Sequence, residues 1–261
     1  MKPLYGTKDC PFCGSDHKSK CYFVYESGYH CFSCGASKTS IRNFQIKGLE
    51  TSGDITLPEL TRNPSMFSLP ILKWLRSYHV TDDLIYKYSV AEAEDNSVIT
   101  PVIKNEKVVM YQRRWFDPRR IMTYGKKQSF IATSESRTSQ EIVIVEDFIS
   151  AIRVGEVCDC YCMFGTSIPY EILESLIAKY AIIVVWADGD KPGQKAASKL
   201  SYLVNKLISK EARKRSFAYS FDKIVINVLT EHDPKCYTNT QVKAILTEHG
   251  VYDEKTSSQS T

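Results

Sequence analysis

The chain has 261 residues, 43% hydrophobic and 25% charged, with a formal net charge of +4. This is the make-up of a globular protein with one large domain or two modest ones, and it excludes the membrane-spanning class, since no apolar run approaches ~20 residues. Nine cysteines, an odd number, follow a start (Met1 to Tyr5) without an apolar signal core, which argues against an exported disulfide scaffold. A cytoplasmic location is expected, with no membrane partner.

The first element is a cysteine set. Cys10-x2-Cys13 and Cys31-x2-Cys34 are separated by 17 residues, each pair followed by a glycine. This spacing reads as a structural zinc site, in which four thiolates close a tetrahedral shell. Tyr22 to Tyr25 reads as a strand between the pairs, so residues 1–45 are expected to form a small zinc-binding ribbon. Zinc would staple a segment too small to build its own core. His17 and His30 are rival ligands. Lys18, Lys20, Lys38 and Arg42 offer phosphate partners, and Tyr22, Tyr25 and Tyr29 offer stacking surfaces.

Residues 46–67 carry Gly48, Gly53, Pro58 and Pro64 and read as a linker. A helix is expected over 69–88. Three short apolar strands follow, at 98–103, 108–114 and 130–132. Residues 68–140 thus read as a basic α+β subdomain, with eight Lys/Arg between 104 and 127 against Glu106 and Asp117. A second basic block lies at 206–223. Such blocks hint at a polyanionic partner.

From Glu141 the pattern becomes strand–helix alternation. Strands are expected at 142–145, 158–164, 181–187 and 224–229, and helices at 147–156, 169–179 and 192–210. This βαβαβαβ series is the signature of a mostly parallel sheet covered by helices, here assigned to 141–245. Cys158, Cys160 and Cys162 alternate along one strand and read as packing residues. Residues 246–261 read as a disordered tail.

The strands of this series end in acids. The first ends at Glu146, with Asp147 next. The third ends in Asp188-Gly189-Asp190, where strand alternation would put both carboxylates on one side. The fourth is followed by Asp233. In a right-handed parallel sheet these ends share one edge. Carboxylates converging there need cations, and hard oxygen ligands suit Mg2+ or Mn2+.

At this point the chain resembles a known family. Val143-Ile144-Val145-Glu146, Ala187-Asp188-Gly189-Asp190-Lys191-Pro192-Gly193 and His232-Asp233-Pro234 are similar to the TOPRIM motifs of bacterial-type DNA primases, topoisomerases and some nucleases. Phe164-Gly165-Thr166-Ser167 resembles that family's Gly-Thr-Ser turn. Ribbon, basic unit and TOPRIM in this order match bacterial and bacteriophage primases. The resemblance implies a TOPRIM-type α/β fold and a DNA-directed RNA polymerase making short primers on single-stranded DNA from ribonucleoside triphosphates. It implies catalytic and metal roles for Glu146, Asp188, Asp190 and Asp233. Arg113 and Arg114, with Lys126 and Lys127, would face nucleotide or template. Where primases have a second acid, four residues after the glutamate, this chain has Ser150, and Asp147 replaces a usual glycine. No Gly-x4-Gly-Lys-[Ser/Thr] loop occurs, so a replicative helicase partner would be a separate chain. The same acids would serve a TOPRIM-type nuclease, and the Ser150 departure leaves room for a non-catalytic zinc/TOPRIM recombination module.

Overall fold

The structure, a computed structural model, describes residues 5–7, 22–25, 28–31, 37–38, 50–51, 55–133, 140–214 and 223–251; side chains are described at Phe23, Cys31, 55–133, 140–210 and 223–251. The chain divides into two compact units, Met1–Gln128 and Ser129–Thr261.

The first unit begins with a four-stranded antiparallel sheet of β1 (Tyr5–Thr7), β2 (Tyr22–Tyr25), β3 (Gly28–Cys31) and β4 (Ser37–Lys38). The strand expected at Tyr22 to Tyr25 is present, and Cys31 closes β3 as a buried residue. Cys10, Cys13, Cys34 and His17 lie outside the described residues; of the segment 246–261 read as a disordered tail, residues 246–248 end a helix and Leu246 and Val251 are buried, while 252 onward lies outside the described residues.

The larger sheet of this unit runs β10-β9-β8-β7-β6, with β5 beside β9. Its strands are β5 (Glu50–Thr51), β6 (Leu60–Thr61), β7 (Ala91–Ala93), β8 (Val98–Lys104), β9 (Lys107–Phe116) and β10 (Arg119–Tyr124). The segment read as a linker therefore carries two strands that join this sheet. Its apolar residues explain why: Ile55, Leu57 and Leu60 pack on a core of Ala91, Ile99, Val108 and Tyr111. Tyr111 stacks on Tyr124 at 4.6 Å and donates its hydroxyl to the Thr56 carbonyl at 3.0 Å. β10 was not expected from the sequence; its residues are mostly exposed, so it shows no buried alternation.

The helix expected over 69–88 is two helices, α1 (Leu69–Ser77) and α2 (Asp82–Lys87). His79 takes φ 58°, a left-handed value that ends α1. Thr81 then caps a new helix, its hydroxyl accepting the Leu84 N–H at 3.3 Å.

The second unit is a five-stranded sheet in the order β11-β13-β12-β14-β15, from β11 (Ile131–Ala132), β12 (Glu141–Val145), β13 (Asp159–Cys162), β14 (Ile182–Trp186) and β15 (Ile224–Val228). β12, β13, β14 and β15 pair in parallel. β11, read from sequence with the preceding basic strands, pairs antiparallel with β13 instead. Connecting helices are α3 (Phe148–Val154), α4 (Tyr170–Lys179) and α5 (Lys191–Lys214). A further helix, α6 (Asn239–Glu248), was not foreseen; its N-terminus is a capping box of Thr238 and Gln241.

The expected buried strands are buried. Ile142 to Val145 and Ile183 to Trp186 are fully enclosed, as are Cys158, Cys160 and Cys162. Ile142, Ile144, Ile183 and Val185 face a core shared with Leu173 and Leu176 of α4 and Leu200, Val204 and Leu207 of α5. Strand alternation turns Val143, Val145, Val184 and Trp186 to the opposite face. A sheet covered on both faces holds its strand ends rigidly, and those ends carry the acids.

Ile144 sits at the centre of this core with no exposed surface. Ile144→Ala is expected to cost about 2–5 kcal/mol, read as a lowered urea midpoint with an unchanged m-value.

A carboxylate cluster at the ends of the parallel strands

Glu146 and Asp147 follow β12 directly, Asp188 and Asp190 follow β14, and Asp233 follows β15. All lie past the carboxyl ends of parallel strands, where open α/β sheets bind ligands. Their carboxylates feel one another: Asp190, Asp147 and Asp233 all act on Glu146, and Asp147, Asp233 and Glu146 act on Asp188.

Strand alternation does not place Asp188 and Asp190, because β14 ends at Trp186. Asp188 is half-buried and donates its backbone N–H to Glu146 Oε1 at 3.3 Å. Asp190 is exposed, and its Oδ1 accepts the Gly193 N–H at 2.7 Å, capping the first turn of α5.

The two glycines make this geometry possible. A Cβ on Gly189 would lie 2.6 Å from the Glu231 carbonyl oxygen and 2.8 Å from that of Thr230. A Cβ on Gly193 would meet the Asp188 carbonyl oxygen at 2.3 Å and Glu146 Oε1 at 3.0 Å. Bare backbone at both positions lets the loop after β15 and the start of α5 close onto the site. The Trp186 indole ties the same loop by donating to Thr230 Oγ1 at 2.9 Å.

Asp147 turns to the N-terminus of α3. Its Oδ1 accepts the N–H groups of Ile149 at 2.9 Å and Ser150 at 3.1 Å. Its Oδ2 accepts the Ser150 hydroxyl at 2.7 Å and the Lys235 ammonium at 3.0 Å. Ser150 is fully buried and serves as the partner of an acid three residues earlier. Lys235 also donates to Asp233 Oδ2 at 2.7 Å. It was not anticipated; the only sequence signal was a lysine two residues after Asp233.

The charges shift accordingly. Burial pushes the Asp188 carboxyl up to about 7; Lys235 opposes this, and Asp147, Asp233 and Glu146 add to it. Burial also raises Glu146, against the Asp188 N–H and with the help of its acidic neighbours. For Asp147 burial works the same way, but the Lys235 charge and the hydrogen bonds from Ser150 and Lys235 outweigh it and hold the carboxyl low. Burial disfavours the Lys235 ammonium, yet Asp147, Asp233 and Asp188 raise its pKa above the ordinary lysine value.

Among the described residues, no three His, Cys, Asp or Glu side chains stand as a ready-made metal cage. The fit to a divalent cation rests on Asp188. Its Oδ1 is buried without a hydrogen-bond partner. A desolvated carboxylate oxygen lacking a donor is unfavourable unless a proton or a cation meets it. Glu146 is the neighbour that could share such an ion, and Asp190 bears on Glu146 in turn.

The first unit carries a separate basic and aromatic surface. Arg113 donates to Ser97 Oγ at 2.8 Å and pairs with Asp95 at 2.7 Å, and the Trp115 indole donates to the same carboxylate at 2.6 Å. Burial opposes ionisation of Asp95, but hydrogen bonds from Arg113, Ser97 and Trp115 hold it well below the usual carboxylate range. Arg113 and Arg120 lie 4.8 Å and 4.1 Å from the Trp115 ring, and Arg114 lies 5.2 Å from the Trp74 ring. Lys126 lines a 480 Å³ pocket with Tyr124, Gly125, Gln128 and Ile55. Lys127 is partly buried.

No protein-family model matches the sequence, and no curated protein matches it. Solved structures of similar fold include catalytic domains of DNA primases. The catalytic domain of DnaG primase bound to ssDNA aligns with a TM-score of 0.52 at 11% identity, over 69% of this chain and 71% of that one. The E. coli primase catalytic core aligns with 0.51 at 11% identity, over 68% and 71%. The primase fragment of the bacteriophage T7 primase-helicase aligns with 0.47 at 14% identity, over 95% and 99%. At these identities the likeness is one of fold.

Burial of Asp188 makes stability depend on pH. Its folded pKa, about 7, exceeds the unfolded value near 4, so stability is fully present below about pH 4 and is lost as pH rises through about 7. Asp188→Asn is therefore expected to match wild type in melting temperature near pH 4 and to exceed it at pH 8, in buffer without divalent ions. Equal melting temperatures at pH 8 would show that Asp188 carries no burial penalty.

Proposed function

We propose that this chain is a DNA primase: a DNA-directed RNA polymerase that makes short RNA primers on a single-stranded DNA template from ribonucleoside triphosphates. The observation that carries the reading is Asp188, a desolvated carboxylate oxygen without a partner at the carboxyl edge of a parallel sheet, beside Glu146. The TOPRIM-like motifs and the fold likeness to primase catalytic cores support it.

In this reading Asp188, with Glu146 and Asp190, holds a Mg2+ or Mn2+ ion. When bound, such an ion neutralises charge on the transferring phosphoryl group and polarises the attacking hydroxyl. The chain's own residues do the positioning. Gly189 and Gly193 let the loop and α5 close on Asp188, and Asp190 fixes the first turn of α5. Asp233, grouped with the metal ligands by resemblance, here grips Lys235 and anchors the loop after β15. Phosphoryl transfer needs little beyond such positioning and charge neutralisation.

The first unit supplies the template surface. Trp115, flanked by Arg113 and Arg120, offers a ring for base stacking and guanidinium groups for phosphate. Asp95 fixes both Arg113 and the Trp115 indole, so charge and ring are held in register. Zinc on Cys10, Cys13, Cys31 and Cys34 would shape the ribbon, and a separate helicase would deliver the template.

Incubation with single-stranded DNA, four ribonucleotides and Mg2+ or Mn2+ is expected to yield short oligoribonucleotides on a sequencing gel, and none with Asp188→Asn. Template cleavage without RNA synthesis would replace the primase reading with a nuclease on the same fold; neither product would favour a non-catalytic module.

Trp115→Ala is expected to weaken single-stranded DNA binding by about 1–3 kcal/mol in fluorescence anisotropy. An unchanged affinity would remove Trp115 from the template surface.

A further inference from the structure

The aspartates of this edge fall into two sets by the donors they meet. Asp147 is saturated: its two oxygens accept from Ile149 N–H, Ser150 N–H, the Ser150 hydroxyl and Lys235. A carboxylate has about four lone-pair sites, and all four are taken. Asp233 gives Oδ2 to the same ammonium. Asp188 keeps a buried oxygen with no partner, and Asp190 spends one oxygen on α5.

Lys235 is not a loose surface lysine. Its side chain is 12% exposed. It stands on a single 3-10 turn, Pro234–Cys236, closed by the Cys236 N–H to the Asp233 carbonyl at 2.9 Å. The chain just beyond is clamped by Arg153 of α3, buried to 3% exposure, which donates to Asn239 Oδ1 at 2.7 Å and to the Tyr237 carbonyl at 3.5 Å. Tyr237 packs its ring 5.8 Å from that of Trp186, at the end of β14. Backbone, clamp and ring contact together hold the ammonium between the two acids.

We infer that Lys235 is a resident cation: its ammonium bridges Asp147 and Asp233 and takes up their charge in a divalent ion's stead, so the carboxylate edge holds one exchangeable metal ion, at Asp188 with Glu146 and Asp190. This rests on the metal-dependent reading above. The alternative it opposes is a placeholder lysine that leaves when metal arrives. An ammonium with two charge-assisted hydrogen bonds is a fixed charge that needs no free metal to stay in place. Lys235 is thus a positioning residue for Asp147 and Asp233, and through the loop for Asp188.

The test counts metal rather than activity. Mn2+ is titrated into the full zinc-loaded chain, free Mn2+ is read by electron paramagnetic resonance, and Mg2+ competition identifies the oxygen-bound fraction. Wild type and Lys235→Arg are expected to bind ~one Mg2+-displaceable equivalent and Lys235→Met ~two, as in a two-metal site. Asp188→Asn is expected to lose the wild-type equivalent. Two equivalents in wild type overturn the inference while leaving the edge a metal site. So does the same count in wild type and Lys235→Met. No displaceable Mn2+ in wild type overturns both, and Asp188→Asn then changes nothing. If Lys235→Met melts early without divalent ions, a rise in its melting temperature with Mn2+ larger than the rise Mn2+ gives wild type supports the inference, and an equal or smaller rise counts against it.

Discussion

Like charges gathered at one sheet edge must be neutralised, and in this chain the Lys235 ammonium does much of that work. It meets Asp147 at 3.0 Å and Asp233 at 2.7 Å, linking the loop after β15 to the N-terminus of α3. Removing one partner from a buried charged pair leaves the other uncompensated, which costs far more than the pair's net worth. The loop, the helix start and the ammonium therefore stand together. Among the described carboxylates of this edge, the buried oxygen left without a partner is Asp188 Oδ1. The division of the edge into a satisfied half and an unsatisfied half gives the site its chemical character.

That division depends on backbone approach. Gly189 and Gly193 lie so close to neighbouring carbonyls that any Cβ would force the loop or the helix away. The buried strands beneath cannot yield to relieve such a clash, because their side chains are packed on both faces of the sheet. Rigid strands, bare glycine backbone and a pinned lysine are three parts of one constraint: carboxylates held closer than they would choose.

The first unit handles charge in another way. Asp95 collects Arg113 and the Trp115 indole, and the guanidinium groups of Arg113 and Arg120 lie over the ring. A cation held near an aromatic face with its counter-ion alongside is an ordered surface rather than a diffuse basic patch. The excess of Lys and Arg between 104 and 127 was visible in the sequence, but a run of charges does not say which is tethered.

Much of the second unit was legible because its signals are local and repeated. Short apolar runs bounded by polar turns mark Ile142 to Val145 and Ile183 to Trp186 as buried strands, and acids after such runs must lie at one edge of a parallel sheet. The break at His79, the exposed β10 and the antiparallel β11 were not legible, since they rest on a left-handed residue, a strand without a buried face and a pairing across sequence. The sequence alone determined which acids follow which strands, because strand ends are set by where apolar runs stop. Only the tertiary structure decided which acids are satisfied. Asp147 and Asp190 meet partners three residues on, but Lys235 reaches Asp147 across 88 residues and burial leaves Asp188 with an orphaned oxygen, and both of these arise only once the chain has folded.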